Sequence, residues 1–120
     1  MRFEARELRP YIEHVPVEDL VYGEVYFIVW FLDGTDMLVP ELKPVVYVGR
    51  NLAPGDMKKL YFQDFVSYQD GVRYETAAEP DDVEFQCFYD DQTSGVCDYE
   101  RALDGLLHCS LRRAKRSQDD

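Results

Sequence analysis

The sequence predicts an α+β domain: an antiparallel, strongly twisted sheet of about five or six strands, or a small barrel made from them, with one C-terminal amphipathic helix packed on it. Two patterns indicate this class. Between positions 22 and 90, short runs of β-branched and aromatic residues alternate with turn-forming residues. From position 98 to 116, apolar residues recur at intervals of three and four, as on one face of a helix. A chain of 120 residues is expected to form a single domain, residues 1–120.

The first strong element of the sheet follows an N-terminal segment with a weak pattern. Residues 1–20 contain Pro10 and Pro16 and are expected to form an extended arm or a short helix that lies against the body. Residues 24–32 are predicted to be a central strand, because they are rich in β-branched and aromatic side chains. Both alternating faces of this strand are apolar, so we expect other parts of the chain to cover each face of the sheet.

Two prolines divide the next part of the chain. Turn-forming residues 33–36 lead into Met37–Val39, which is predicted to be the hairpin partner of the first strand. Pro40 is expected to end that pairing or to mark a sheet edge, because proline has no backbone N–H. After Pro44, residues 45–49 are predicted to form a third strand.

The second half of the body contains one ambiguous segment and one clear strand. Residues 60–70 fit both a strand and a helical spacing, and the pattern leaves the two interpretations open. Residues 83–89 alternate more cleanly and predict a half-buried antiparallel strand, with Phe85 and Cys87 pointing inward and Gln86 exposed.

The C-terminal helix is predicted over residues 98–116, with Asp98 as its N-cap and residues 117–120 as a frayed tail. Its leucines lie on one face of the helix, and we expect this face to seal one apolar face of the sheet. The leucines in question are Leu103, Leu106, Leu107 and Leu111. His108 follows Asp104 by four residues, which is the spacing of an ordinary surface pair on a helix.

The charge of the chain indicates what kind of partner it attracts. It has 24 acidic and 13 basic side chains, and the body from residue 10 to 110 has 20 acidic and six basic ones. Residues 75–91 carry seven carboxylates and no Lys or Arg. Such a field attracts basic proteins or peptides and repels nucleic acid and anionic membranes. The predicted partner-binding residues are Asp81, Asp82, Glu84, Gln86, Asp90 and Asp91.

Motifs for metal, cofactor or catalytic chemistry are not found. Cys87, Cys97 and Cys109 are too far apart in sequence for a typical zinc site, so we expect three free thiols, with Cys87 and Cys109 buried. No nucleophile elbow, phosphate-binding loop or zinc-protease sequence occurs. We therefore expect no cofactor. The longest apolar run has eight residues and the N-terminus mixes charges, so the protein is expected in the cytoplasm.

These observations favour a non-enzymatic protein-binding module that captures a basic partner. Two forms fit: an inhibitor or immunity-type protein that blocks a basic enzyme, and an adaptor that binds a cationic peptide. A small enzyme that uses a carboxylate with a tyrosine or His14 in a cleft is the alternative from another class. A third alternative is a homodimer that buries an aromatic sheet face, and the sequence leaves open whether the chain is a monomer or a homodimer.

Overall fold

The computed structural model describes residues 1, 7–10, 13–75, 85–91 and 95–119. Within these ranges the chain forms one five-stranded antiparallel sheet and two α-helices. The strands are β1 (Val25–Phe31), β2 (Pro40–Arg50), β3 (Lys59–Asp64), β4 (Phe85–Tyr89) and β5 (Val96–Cys97), and the helices are α1 (Phe65–Gln69) and α2 (Tyr99–Asp119). The predicted α+β class is confirmed, and the sheet is open, not closed into a barrel.

The strands lie in the order β4-β3-β2-β1-β5. The first four thus form a meander, in which β1 pairs with β2 along its whole length, from Val25 opposite Val46 to Phe31 opposite Pro40. The last strand, β5, returns to the free side of β1 and pairs with only two of its residues. This topology places β4 at one edge of the sheet and β5 at the other.

The structure corrects the prediction for residues 37–49. Met37–Val39 belong to a loop, and Pro40 begins β2, which continues through Pro44 as one strand of 11 residues. Proline is tolerated at position 44 because β3 pairs with β2 only from Val45 onward, so this part of β2 has a single neighbouring strand. The loop is held by Asp33, whose carboxylate accepts the backbone N–H groups of Leu38 and Val39, each at 3.0 Å.

Both faces of the sheet are covered, as the apolar faces of β1 predict. One face, which includes Tyr26, Ile28 and Phe62, packs against Val15 and Leu20 of the N-terminal segment. The opposite face packs against α1 and the residues after it at one end, and against α2 at the other. The ambiguous residues 60–70 contain both predicted structures, because β3 ends at Asp64 and α1 begins directly after it.

The orientation of α2 is the reverse of the prediction. Ala102, Gly105 and Cys109 are buried, and Ala102 packs against Val29 and Cys97 of the sheet. The four leucines that were expected to seal the sheet are instead 38% to 60% exposed. Small side chains let the helix axis approach the strands closely, which explains why this face and not the bulkier leucine face meets the sheet.

The N-terminal segment covers the side of α2 that carries Asp104 and His108. Asp104 is 1% exposed, and its carboxylate lies 3.7 Å from the Arg9 guanidinium. The Nε2 atom of His108 contacts the Arg9 carbonyl oxygen. Asp104 is therefore buried and not on the surface, where the helical spacing predicted it. The predicted N-cap is present, since the Asp98 carboxylate accepts the Arg101 N–H at 2.9 Å, but residues 117–119 continue the helix and are not a frayed tail.

Candidate functional site

The outer side of β4 is an open sheet edge. Asp90 donates its backbone N–H to the Lys58 carbonyl at 2.9 Å, so residues 86, 88 and 90 are the positions that bond to β3. Because hydrogen bonding alternates along an antiparallel strand, the backbone groups of Phe85, Cys87 and Tyr89 point away from β3. No strand in the described part of the chain lies beyond β4. We call this outward row of backbone groups, with the adjoining Asp90 and Asp91, the β4 edge.

The opposite edge of the sheet is short and occupied. β5 has only two residues, and the Val96 carbonyl accepts the backbone N–H of Val15 at 2.9 Å. The Cys97 thiol also lies 3.9 Å from the Glu13 carbonyl oxygen. The N-terminal segment thus covers this edge, and β4 is the edge that the described residues leave open.

The β4 edge ends in a shallow depression of about 390 Å³. It is lined by Met57, Lys58, Tyr89, Asp90 and Asp91. Tyr89 is 53% exposed, and Asp91 is exposed beside it. A tyrosine ring next to carboxylates is suited to an arginine or lysine side chain, through cation–π and ionic contacts. Lys58 opposes such a ligand, and Asp91 is the carboxylate best placed to offset it.

Three of the six predicted binding residues lie in the described part of the chain, and their roles differ. Asp91 is exposed, whereas the Asp90 carboxylate lies 3.5 Å from the Arg50 guanidinium and is partly neutralised by it. Gln86 is half-buried. The predictions for Asp81, Asp82 and Glu84 lie outside the described residues.

The predicted faces of β4 are only half right. Phe85 points inward as expected and packs near Tyr61, with ring centroids 6.5 Å apart. Cys87 was expected to be buried on the same face but is exposed. Phe88, on the other face, packs against Phe62 at 5.8 Å. β4 is an edge strand with a neighbouring strand on one side only, so its side chains are less covered than those of a central strand. The alternation of residues in the sequence therefore does not specify how deeply each side chain of β4 is buried.

Met57 and Lys58 were missed by the sequence reasoning. They precede β3 and reach the end of β4 only because Lys59 pairs with Tyr89 across the sheet. Tyr89 itself carried a signal, since it directly precedes Asp90 and Asp91 in the sequence. The two segments meet only because β3 pairs with β4, and the sequence pattern of one strand does not identify its partner strand.

Asp56 and Tyr61 form a carboxylate–tyrosine pair, the kind of contact that an enzyme of the alternative class would need. The Tyr61 hydroxyl donates to the Asp56 carboxylate, and this hydrogen bond lowers the pKa of Asp56. Burial, with a further contribution from Asp56, raises the pKa of Tyr61 well above its usual value. The carboxylate is thus held ionised and the phenol protonated, so neither group is poised to exchange a proton near neutral pH. The pair holds the turn before β3, since Asp56 also accepts the Ala53 N–H at 3.0 Å.

The cysteines and His14 are the other groups that the sequence offered for metal or catalytic chemistry. Cys97 and Cys109 are buried thiols and Cys87 is an exposed one, and all three are free. Burial raises the pKa of Cys97 to about 11. In the described ranges, no three His, Cys, Asp or Glu side chains are grouped as a metal site would require. His14 is exposed.

Among the described helices, none has the length and apolar character to cross a membrane.

The chain was compared with known families, proteins and structures. No family model, curated protein or solved structure matches the chain.

Proposed function

We propose that this protein is a non-enzymatic binding module, acting in the cytoplasm, that captures an extended basic segment of a partner protein along the β4 edge. The observation that carries the proposal is the open row of backbone groups on Phe85, Cys87 and Tyr89, which lie within the acidic stretch of residues 75–91. An extended chain adds to such an edge as a further strand, and its backbone hydrogen bonds supply affinity that does not depend on sequence.

Charge then selects among extended segments. The stretch from residue 75 to 91 has seven carboxylates and no basic side chain, so a cationic segment is drawn to this edge and an anionic one is repelled. At the end of the strand, Tyr89 and Asp91 offer a ring face and a carboxylate to one Arg or Lys of the partner. Both forms predicted from sequence fit this mode, since an inhibited enzyme and a cationic peptide each present a basic strand or loop.

A synthetic peptide tests the proposal directly. The probe alternates Val or Thr with Lys or Arg over about eight residues, the length of an ordinary strand, and carries a fluorophore for anisotropy. We expect it to bind, and to bind more weakly as salt is added, because exposed charges are screened. A peptide with Glu at each basic position is the matched control. Equal binding of the basic and acidic peptides would refute the proposal.

Two substitutions at position 87 separate backbone pairing from general charge attraction. Cys87→Pro removes one outward N–H and should abolish strand addition, while proline is tolerated at a sheet edge. Cys87→Ala keeps that N–H and should leave binding unchanged. Circular dichroism and thermal melting establish that both variants are folded. If the folded proline variant binds the basic peptide as tightly as the alanine variant, the β4 edge is not the binding surface.

Carboxylate variants test the role of charge. The variant Asp81→Asn, Asp82→Asn, Glu84→Gln should slow association with the basic peptide and flatten its salt dependence, because peripheral charges act mainly on the association rate. Asp19→Asn, an exposed carboxylate in the 3-10 turn Val17–Asp19, is the control and should change neither. Identical association rates and salt slopes in the triple variant and the wild type would remove residues 81–84 from the site.

A further inference from the structure

Hydrophobic clusters on both faces of the sheet extend to the β4 edge. On one face the half-buried Phe88 ring packs against Phe62, with ring centroids 5.8 Å apart. On the other face the half-buried rings of Phe85 and Tyr74 lie 5.6 Å apart and join the cluster around Tyr61. A strand added beside β4 would lie next to both phenylalanine rings and could cover them further, because side chains of neighbouring strands pack in pairs across a sheet.

The C-terminal end of β4 has a different character. Tyr89 is exposed there, with the exposed Asp91 following it in the same depression. Because side chains alternate along a strand, Tyr89 lies on the same face as Phe85. The β4 edge thus presents a ring with a carboxylate at position 89 and apolar rings at positions 88 and 85.

The fold closes another unpaired stretch of strand with proline. β3 pairs with β2 only from Val45 onward, so the described strands leave residues 40–44 unpaired on that side. The Leu32 N–H donates to the Val39 carbonyl, which sets the hydrogen-bonding phase of β2, and residues 40, 42 and 44 point away from β1. Two of these three are Pro40 and Pro44, which have no N–H to donate to an added strand. β4 contains no proline, so of the two stretches it is the one that accepts a strand along its length.

We propose that the segment bound at the β4 edge runs antiparallel to β4 and carries a basic residue, an apolar residue directly after it, and a second apolar residue three positions further on. This inference rests on the function proposed above and adds the sequence that the edge selects. Residues directly opposite each other in an antiparallel pair share a face of the sheet. The basic residue then lies opposite Tyr89, and the two apolar residues lie opposite Phe88 and Phe85.

The hydrogen-bonding phase of β4 makes the position opposite Phe88 the most selective. The backbone groups of Phe88 bond to β3, so on its outer side it forms the non-hydrogen-bonded type of pair, in which side chains approach most closely. The position opposite the exposed Cys87 makes no comparable contact and accepts any strand-forming residue. The antiparallel direction agrees with every strand pair of the sheet, and a parallel segment would need the apolar residues before the basic one.

Two peptides of identical composition test the direction. One has Arg followed by Val, two Thr and a second Val, with Thr on both sides to a length of about eight residues. The other has the reversed sequence, and both are acetylated and amidated so that their ends carry no charge. Fluorescence anisotropy should show the forward peptide binding about three- to fivefold more tightly, the range expected for one cation–π contact or cross-strand pair.

A peptide with Glu in place of Arg separates the possible failures. If the reversed peptide binds as tightly as the forward one, and both bind more tightly than the Glu peptide, the direction is refuted while the proposed function stands. If neither binds more tightly than the Glu peptide, the proposed function fails and this inference with it.

One change in the peptide and one in the protein test the register. Moving the first Val one position along, opposite Cys87, should weaken binding by up to about fivefold. Tyr89→Thr should remove most of the preference for Arg over Gln in the peptide, whereas Tyr22→Thr, at a similarly exposed tyrosine before β1, should keep it. Thermal melting establishes that both variants are folded. Unchanged binding of the shifted peptide, or an unchanged Arg preference in the Tyr89 variant, would overturn the register.

Discussion

The orientation of α2 predicts how stability depends on two neighbouring residues, Ala102 and Leu103. The small alanine is the buried residue of the two, and the larger leucine is the exposed one. Ala102 is 4% exposed and packs against Val29 and Cys97, whereas Leu103 is 47% exposed. Replacing Ala102 by leucine should therefore destabilise the protein more than replacing Leu103 by alanine. A helix packed through its leucines would give the opposite order.

The magnitudes follow from burial. A larger side chain forced into the contact at Ala102 should cost about 1 to 3 kcal/mol, because the strands cannot move aside. Complete burial of a leucine stabilises a protein by about 1.5 to 3 kcal/mol, so loss of the half-buried Leu103 side chain should cost about 1 kcal/mol or less. Alanine also has the higher helix propensity, which offsets a few tenths of a kcal/mol of that loss.

Urea unfolding, followed by the fluorescence of the single tryptophan, Trp30, measures both effects. The experiment is run at low protein concentration, because self-association would add to the apparent stability. The comparison is valid if the dependence of the unfolding free energy on urea is the same in all three proteins. A Leu103→Ala variant that loses about 2 to 5 kcal/mol, the cost at a fully buried site, together with a neutral Ala102→Leu, would show that α2 packs through its leucines.

Two further predictions concern ionisation and thiol chemistry. The lowered pKa of Asp56 means that its carboxylate stabilises the fold above the ordinary aspartate pKa of 3.8, and that this contribution is lost as the pH falls below that value. Asp56→Asn should then destabilise the protein at neutral pH and give a flatter loss of stability on acidification, as measured by urea unfolding at several pH values. Parallel curves for variant and wild type would contradict this role. In the native protein a thiol reagent should modify Cys87 well before the buried Cys97 and Cys109, with all three reacting after unfolding. Equal rates for the three thiols would be inconsistent with the fold.

The sequence predicts best where local chemistry and long-range structure agree. The β-branched and aromatic run around β1 has no alternative to a covered strand, and Asp98 caps α2 because its side chain bonds within the same turn. The merging of two predicted strands into β2 depends on where β3 stops pairing. That information lies in another strand and not in the prolines themselves.

The orientation of α2 shows a different limit. Periodicity identifies an apolar face on a helix, but it does not say what covers that face. The signal for the true contact was present in Ala102, Gly105 and Cys109, which recur at intervals of three and four. Glycine costs about 1 kcal/mol in a helix interior, so its presence at position 105 indicates close packing. The site was predictable only in part, because its acidic stretch is continuous in sequence while Met57 and Lys58 reach it through strand pairing.

The contacts of the N-terminal segment also set an order of events during synthesis. Val15 bonds to Val96, and Arg9 contacts Asp104, so residues 9–15 find these partners only after residues 96–104 have been made. The strands β1, β2 and β3 have short connections and can pair earlier. Until β5 and α2 emerge, the faces of β1 that they and the N-terminal segment cover remain exposed to solvent. The nascent chain therefore has its period of greatest aggregation risk after β3 has been made and before β5 and α2 follow.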